Sequence, residues 1–407
     1  MLNIHAEYCI YGLVVFYLLA LIVAKWRSPF WFHQPVHHRF EWYPLWCSRP
    51  YLKRKKAPRP GIYCEPSRVY TTDTLPDEAV VLLQGHYLDN DAHLYEVTHD
   101  SLQRILHGTF YVSCYCDVRI SEPAYQSILD TSCVQSMITS RPIELRFRAH
   151  PDTNVTAHFL DHICTHESVR TKHLSRPTLQ THVYHHHQQD PQFSGVYLFR
   201  KEVDLCIDVV PLILTRAYTF LLHSTSITKL PIHYSLRRLN SEHVDVWRTV
   251  YAEMLRQFEI TALPDMAYTI DWLKNERYSV YLTVYKTKHL EHIHGVYVFE
   301  DSGVLWQTNE AKPRMVRLAA SMRFSGEHDD PDALLFFRGF LHALRDYVTD
   351  QKTTGVLEIP CISHNGYLLS KWREKYALRN ETPLAYYLYN MVHPSAPLSP
   401  EKILCLA

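Results

Sequence analysis

A basic turn in the middle of the chain carries residue types that bind anions. It lies in the stretch HICTHESVRTKHLSRPTL, residues 162–179, where an apolar segment leads into the turn and a helical pattern follows. Arg170, Lys172, His173 and Arg176 fall within seven residues. A helix N-terminus adds unpaired N–H groups and the positive end of its dipole, and both favour phosphate. The spacing alone fits either a phosphate site or a basic surface loop.

The overall composition makes any anion binding local to this turn. Lys+Arg and Asp+Glu both number 42, so the net charge is zero and nucleic-acid binding is disfavoured. The chain holds only 11 glycines and lacks the GxGxxG and GxxxxGK[ST] patterns, which argues against Rossmann and P-loop nucleotide sites. Its ten cysteines include no CxxC pair, and we expect them to be reduced, mostly buried thiols.

Histidine is abundant, with 27 in the chain. Two clusters have spacings that could ligate a metal, HVYHHH at 182–187 and HLEHIH at 289–294. Neither cluster comes with a matching set of cysteines or carboxylates. We therefore expect no metal and interpret the clusters as solvated histidines.

The first element of the chain is an apolar stretch, CIYGLVVFYLLALIVA, at residues 9–24. It is slightly shorter than the roughly 20 residues that span a bilayer. Lys25 and Arg27 follow it and Glu7 precedes it, which predicts that the rest of the chain is cytosolic. A cleaved signal peptide would carry the basic charge in front. We expect a single-pass membrane anchor, with a buried helix as the alternative.

After residue 76, helix and strand patterns alternate, as is typical of mixed α/β proteins. Residues 142–150 and 279–287 alternate apolar and polar side chains as strands do. Residues 241–260 place seven apolar side chains on one helical face, with Ser241 as the predicted N-cap. A break between two halves is predicted near residues 225–235.

Six short stretches occur in an order that one known family shares. They are FWFHQPV (30–36), LDNDAHLYEV (88–97), CDVRI (116–120), ICTHESVRTKHLSRP (163–177), PLILTRAY (211–218) and YYLYNM (386–391). In these stretches the chain resembles the eukaryotic-type N-myristoyltransferases, which transfer myristate from myristoyl-CoA to N-terminal glycine. The resemblance runs from about residue 30 to residue 407.

The resemblance implies an α/β (α+β) fold in which two tandem GNAT-like halves share one saddle-shaped mixed sheet, preceded by a transmembrane helix. We expect the anchor at residues 1–27, an acyl-CoA half at 28–228 and a peptide half at 229–407. Myristoyl-CoA would be a co-substrate, with no further cofactor. The implied partners are acyl-CoA, peptides or proteins with N-terminal glycine and, through residues 9–24, the membrane.

The resemblance also implies direct transfer, in which the glycine amine attacks the thioester without a covalent enzyme intermediate. The backbone N–H groups of His162 and Ile163 would stabilise the oxyanion. The carboxylate of the last residue, Ala407, would accept the amine proton. The tail is about one residue shorter than is usual in the family, which corresponds to about 3.3 Å of extended chain.

Two sets of binding residues follow from the same resemblance, and the predicted anion at the basic turn is the diphosphate of CoA. The acyl-CoA set is Phe30, Trp31, Cys164, Thr165, Arg170, Thr171, Lys172, His173, Leu174 and Ser175. The peptide set is Asp89, Asp91, Tyr95, Val97, Tyr197 and Glu381.

Departures from the family concentrate on the peptide side. The family's GxGDG becomes LRNET at 378–382 and its YTAG becomes YLFR at 197–200, so glycines and a hydroxyl are lost. Three functions stay open. The chain is an active, membrane-anchored N-myristoyltransferase with altered peptide preference, or a degenerate homologue that binds acyl-CoA or serves as a membrane-associated structural protein. The third is a GNAT-type acyltransferase that acts on another amine.

Overall fold

The structure, a computed structural model, describes residues 2–54, 60–88, 93–117, 134–222, 227–274, 278–288, 290–306, 312–324, 331–350 and 355–406. The α-helices within these residues are α1 (Leu2–Arg27), α2 (Pro29–Phe32), α3 (Asp77–His86), α4 (His99–Ile105), α5 (Ser175–Gln189), α6 (Val244–Gln257), α7 (Met266–Trp272), α8 (Pro331–Asp350) and α9 (Asn365–Arg373).

The strands supply most of the framework. They are β1 (Tyr51–Leu52), β2 (Val69–Thr72), β3 (His93–Tyr95), β4 (Tyr111–Cys116), β5 (Val134–Phe147), β6 (Val155–Thr165), β7 (Tyr197–Glu202), β8 (Ile213–Leu221), β9 (Tyr234–Arg238), β10 (Ile260–Leu263), β11 (Tyr278–Lys286), β12 (Glu291–Trp306), β13 (Arg314–Arg323), β14 (Val356–Pro360), β15 (Leu378–Tyr389), β16 (Met391–Val392) and β17 (Ile403–Cys405).

Fifteen of these strands form one continuous mixed sheet, while β1 and β16 pair separately. The main path of the sheet is β17-β10-β5-β6-β7-β15-β8-β14-β13-β12-β11-β9. Among the strands described, the parallel pairs are β6 with β7, β13 with β14, and β10 with β17. The mixed α/β class predicted from the sequence is therefore confirmed.

The two halves of the sheet repeat one topology. In each half a strand, a helix and a parallel strand follow one another, as β6–α5–β7 and as β13–α8–β14. The parallel pairing stops at Leu160 with Phe199 in the first half and at Arg317 with Glu358 in the second. Beyond these pairs the strands separate, and each separation opens a gap in the sheet. The boundary between halves at residues 228 and 229 stays a prediction.

The two strands and the helix that the sequence predicts are present, and one predicted helix cap is corrected. Residues 142–147 of β5 alternate between partly and fully buried positions, and residues 279–286 fall within β11. Helix α6 buries the predicted face. Ser241 is not its N-cap, because Ser241 already belongs to a 3₁₀ turn that precedes the helix. Asn240 caps that turn, since its side-chain oxygen accepts the Glu242 N–H at 3.0 Å.

Helix α1 lies largely outside the core. Its apolar window, Ile10–Arg27, is only 6% buried and is long enough to cross a membrane by length and composition. The alternative of a buried helix is therefore wrong. The end of α1 is attached to the domain, because Ala24 and Ser28 are buried and the Ser28 hydroxyl donates to Asp208 at 3.2 Å.

His182 and His186 of the first predicted cluster and His294 of the second are buried, not solvated as the sequence suggested. His182 makes hydrogen bonds with the hydroxyls of Ser113, at 2.8 Å, and Ser140, at 2.9 Å. His186 bonds the Tyr197 hydroxyl at 2.7 Å, and His158 bonds Ser140 at 3.2 Å. Hydroxyl partners satisfy neutral imidazoles. Within the residues described, no group of three or more His, Cys, Asp or Glu side chains is arranged to hold a metal.

This histidine cluster predicts loss of stability in mild acid. Burial lowers the pKa of His158 and of His182 to about 3 and lowers that of His186 as well. Below pH about 6.5 the unfolded chain binds protons that the folded chain does not, so the free energy of unfolding falls as the pH falls. Each histidine contributes roughly 1.4 kcal/mol per pH unit between its two pKa values. Urea unfolding between pH 7 and pH 5 measures this slope.

The control for that prediction is a matched pair of variants. His182→Gln removes one buried imidazole. It is expected to remove about one proton from the uptake on unfolding, and so to reduce the slope of the free energy of unfolding against pH. His292→Gln changes an exposed imidazole and should leave this slope unchanged. Equal slopes in the two variants would contradict the assignment.

Candidate functional site

A cleft of about 840 Å³ lies where the parallel strands separate. Side chains from β6 and β7 line one side, and side chains from β12, β13 and β14 line the other. Helix α2, the N-terminal part of α5 and strands β3, β15 and β17 add further lining. The cleft therefore uses both gaps in the sheet and has the size of a ligand site.

A β-bulge in β6 marks one wall of the cleft. Met137 of β5 pairs with Cys164 and Thr139 pairs with Asp161, so His162 and Ile163 together face one residue of β5. His162 has φ of 49°, in the left-handed region that few non-glycine residues adopt. At such a bulge the extra residue lies outside the regular pairing of the ladder. These are the two residues predicted to form the oxyanion site.

The side chain of His162 is fixed beneath the bulge. It is 3% exposed, and its two ring nitrogens lie 3.0 Å from the Thr139 hydroxyl and 3.2 Å from the Tyr95 hydroxyl. These contacts hold the ring in one orientation and so support the unusual backbone of the bulge. The Ile163 side chain is 41% exposed and lines the cleft.

Asp161 binds one of the two predicted oxyanion donors. Its Oδ1 accepts the His162 N–H at 2.9 Å, and its Oδ2 accepts from Arg141 at 3.0 Å. Burial raises the pKa of Asp161, but His162 and Arg141 outweigh burial and hold it well below its usual range. Asp161 is therefore a carboxylate throughout the neutral range, and any oxyanion must compete with it for the His162 N–H.

The basic turn begins with a 3₁₀ helix, Glu167–Lys172, and His173 and Leu174 connect this helix to α5. Arg170 holds it in place by donating to the backbone carbonyls of His86, at 3.0 Å, and Thr165, at 3.4 Å. His173 follows in a left-handed conformation, with φ of 53°, and redirects the chain into the helix. Thr171, Lys172 and His173 are exposed and Leu174 is buried.

The N-terminal end of α5 faces the cleft. His173, Ser175 and Arg176 line it, so the Arg176 guanidinium and the positive end of a 15-residue helix meet at this wall. Among the predicted acyl-CoA residues, Cys164 and Thr165 are not in the lining. The Cys164 thiol lies 3.7 Å from the Leu82 carbonyl, and burial raises its pKa to about 12. The Thr165 hydroxyl bonds Ser136 at 3.0 Å. Neither side chain therefore reaches the cleft.

Phe30 and Trp31 of α2 both line the cleft, as the sequence predicts for its entrance. The Trp31 ring stacks on Phe199 with centroids 5.5 Å apart and planes 7° apart. Phe30 packs edge-on against Tyr63 at 5.2 Å. This wall offers flat apolar surface to a ligand.

A cluster of charged side chains forms the floor of the cleft, and the sequence analysis missed it. Arg317 lies 2.6 Å from Glu358 and 3.3 Å from Glu300, while Arg200 lies 3.3 Å from Glu358 and 2.5 Å from Glu202. Glu300 and Glu358 are buried. The Tyr278 hydroxyl also donates to Glu300, at 3.2 Å.

The cluster ties the two halves of the sheet together. Its members come from β7, β12, β13 and β14 and meet because both gaps in the sheet open into one cleft. Two arginines against three glutamates leave one net negative charge. The only sequence signal for the cluster is Arg200, which stands where the resembled family has glycine.

The last residues that the structure describes also reach the cleft. β17 pairs in parallel with β10, and the Leu406 N–H donates to the Ala262 carbonyl at 3.0 Å. Cys405 and Leu406 line the cleft. Ala407, the predicted proton acceptor, lies outside the described residues.

The predicted peptide residues do not form one group. Asp89 and Asp91 lie outside the described residues. Tyr95 lines the cleft. Val97 and Tyr197 are corrections, because both are buried in the core, 3% and 0% exposed, and the Tyr197 hydroxyl bonds His186.

Glu381 is a further correction on the peptide side. It pairs with Arg216 across β15 and β8 and is not part of the lining, whereas Asn380 and Thr382 on either side of it are. Alternate residues of a strand face opposite sides of the sheet, so these neighbours, not Glu381, point to the cleft.

Structures of yeast N-myristoyltransferase share this architecture. A Saccharomyces cerevisiae N-myristoyltransferase with bound myristoyl-CoA matches at TM-score 0.66 and 15% identity, covering 90% of this chain and 93% of the yeast chain. A second such complex matches at TM-score 0.67 and 14% identity, covering 92% and 90%. The chain has the N-myristoyltransferase fold. A third complex, with myristoyl-CoA and inhibitors, matches at TM-score 0.66 and 13% identity, covering 94% and 95%.

The N-myristoyltransferase fold extends over nearly the whole chain, so the resemblance seen in six sequence stretches is confirmed at the level of fold. No protein-family model and no curated protein sequence matches this chain. The chain is therefore divergent in sequence while it keeps the architecture.

Proposed function

We propose that this protein transfers a long acyl group, myristoyl, from acyl-CoA to the N-terminal glycine amine of a peptide or protein. The bulge at His162 and Ile163 carries the proposal, because it sets a pair of adjacent backbone N–H groups out of the regular register at the wall of the cleft, where the His162 N–H is bonded to Asp161. Such a pair can stabilise the oxyanion that forms when an amine attacks a thioester. The shared fold with yeast enzymes that hold myristoyl-CoA supports the same acyl donor.

The reaction consists of attack, collapse and one proton transfer. The amine nitrogen attacks the thioester carbonyl carbon, and the carbonyl oxygen takes the negative charge. Collapse breaks the C–S bond, so CoA leaves as the thiolate and an amide remains. The amine proton must pass to a base. We assign this role to the carboxylate of Ala407, because Leu406 lines the cleft and one further residue spans about 3.3 Å.

The α5 wall is the proposed site for the CoA diphosphate. Two features of this wall favour an anion, the helix N-terminus and the Arg176 side chain, and the exposed Lys172 of the preceding turn adds positive charge nearby in the chain. Arg170 serves differently from the prediction, because its guanidinium is bonded to backbone carbonyls and holds the turn.

Replacing Arg176 by alanine is expected to weaken acyl-CoA binding 10- to 100-fold. A hydrogen bond to a charged group contributes about 1.5–3 kcal/mol, and 1.4 kcal/mol corresponds to about tenfold in Kd. Titration of the protein with myristoyl-CoA, followed by calorimetry, measures the change. Arg104→Ala is the matched control, because Arg104 is exposed on α4 and is not in the cleft lining. Equal loss in both variants would contradict the α5 site.

A specific observation favours a second candidate, a protein that binds acyl-CoA without turning it over. The His162 N–H donates to Asp161, whose negative charge would also repel an oxyanion. Arg200 adds a large side chain to the floor of the cleft, where the resembled family has glycine. A binding protein needs the α5 wall but not the donor pair.

Release of CoA decides between these candidates. The full chain in vesicles receives myristoyl-CoA and peptides that begin with glycine, and the same peptides acetylated at the N-terminus are the control. Release that needs the free glycine amine supports the transferase. Tight binding of myristoyl-CoA with no release across the panel supports the binding protein. Release with amines that lack N-terminal glycine supports an acyltransferase of different acceptor specificity.

We also propose that α1 anchors the protein to a membrane with the main domain on the cytosolic side. The exposed apolar window and the basic residues Lys25 and Arg27 at its end support this arrangement. An anchor suits the proposed reaction, because the acyl donor carries a lipid chain.

A further inference from the structure

The chain segment after α2 presents an unusually apolar surface. Trp42 and the 3₁₀ turn Tyr43–Trp46 form what we call the aromatic turn, residues 42–46. Four of its five side chains are large, apolar and 59–84% exposed, and only Pro44 is buried. Concentrated exposure of this kind marks an interaction surface and not a solvated loop.

The aromatic turn lies beside the apolar helix α1. The Trp42 ring packs edge-on against Tyr17, with centroids 5.8 Å apart. Tyr17 precedes Arg27, the last residue of α1, by ten positions, which corresponds to about 15 Å along the helix axis. Half of the hydrocarbon core of a bilayer is also about 15 Å thick. The aromatic turn therefore shares the headgroup level with the basic end of α1 where α1 lies oblique to the bilayer normal.

The chemistry around the aromatic turn suits the interface of a bilayer. Tryptophan and tyrosine concentrate at the headgroup level of membranes. Lys25, Arg27 and Arg39 are exposed and would meet anionic headgroups. The turn also bonds its own backbone, with Leu45 N–H to Trp42 O at 3.0 Å and Cys47 N–H to Pro44 O at 3.1 Å. Internal bonds lower the cost of leaving bulk water.

We propose that the aromatic turn is a second membrane contact, which inserts into the bilayer interface next to α1. The proposal rests on the proposed anchoring by α1 and adds the orientation of the domain. Helix α2 begins two residues after α1, and its Phe30 and Trp31 line the cleft. With the turn inserted, the aromatic wall of the cleft lies at the membrane surface, where a long-chain acyl-CoA partitions.

Quenching of tryptophan emission by lipid tests the proposal. The full chain is reconstituted in vesicles of phosphatidylcholine and phosphatidylglycerol whose acyl chains carry bromine close to the headgroups, because bromine quenches emission on contact. Trp26, Trp42 and Trp46 are the exposed tryptophans, so two of three lie in the turn. The double variant Trp42→Phe, Trp46→Phe is expected to lose about two thirds of the quenchable emission. Trp306→Phe, a change in the cleft, is the control and should lose none.

The outcomes separate this proposal from the others. Unchanged quenching in the double variant, with the protein still floating with the vesicles, overturns insertion of the turn and leaves the anchor intact. If the chain does not float with the vesicles, both the insertion of the aromatic turn and the anchoring by α1 are overturned. Circular dichroism of each variant verifies the fold, and the readout does not depend on acyl transfer.

Discussion

Replacing Arg317 by methionine is expected to lower the free energy of unfolding by about 3–5 kcal/mol. Burial alone would lower the pKa of Arg317, but Glu358 and Glu300 outweigh it and hold the pKa above its usual range. Removing the guanidinium leaves Glu300 with the Tyr278 hydroxyl and leaves Glu358 with Arg200. Two buried carboxylates then lose a cation at 2.6 Å and 3.3 Å, and the desolvation cost is no longer offset. Urea unfolding at neutral pH measures the loss.

Arg314→Met is the matched control for that prediction. Arg314 lies on the same strand, three residues before Arg317, and pairs with Asp301 and Glu96. Its side chain is 38% exposed, so water compensates for much of the lost pairing and the expected cost is about 1 kcal/mol or less. If both variants lose the same stability, the charged floor of the cleft does not behave as a buried network.

Neutralising the C-terminal carboxylate is expected to lower kcat for acyl transfer about 10²- to 10⁴-fold. The amine proton must reach a base at the cleft, and Leu406 brings the chain end to its lining. Cys405 allows a matched comparison, because a Cys-Leu-Ala peptide, as free acid or as amide, can be ligated to a chain that ends at Leu404. The two proteins then have one sequence and differ only in the terminal charge.

The readouts for the tail separate catalysis from structure. The kcat from CoA release should fall in the amide, while the affinity for myristoyl-CoA and the free energy of unfolding should match those of the acid. Full activity of the amide would show that Ala407 is not the base. Equal losses of affinity and activity would indicate that the tail shapes the cleft instead of accepting the proton.

Several parts of the fold could be predicted from the sequence because their causes are local. The alternation at 142–147 follows from the two-residue period of a strand that buries one face, whereas residues 279–284 of β11 are buried on both faces. The apolar face of α6 follows from the helical period in the same way. The cap of the turn before α6 was misassigned by one residue, since Asn240 and Ser241 are both good caps and only the backbone conformation selects one.

The basic turn and the aromatic wall were located from the sequence, and both line the cleft or border it. The roles of their side chains were not all predictable. Arg170 is bonded to two carbonyls, and the residue spacing of the turn does not indicate that Arg176 faces the cleft instead. The sequence predicts that the histidines of α5 are solvated, because their partners, Ser113, Ser140 and Tyr197, lie on strands that are distant in the chain.

The sequence by itself determined the mixed α/β class, the apolar N-terminal helix and the motifs that resemble N-myristoyltransferases. Tertiary structure alone decided the bulge at His162 and Ile163, because a bulge depends on the register with β5. It also decided the charged floor of the cleft, whose members Arg200, Glu300 and Glu358 lie up to 158 positions apart. Local patterns report which face of an element is buried, whereas only the curvature and register of the sheet bring distant strand ends into one cleft.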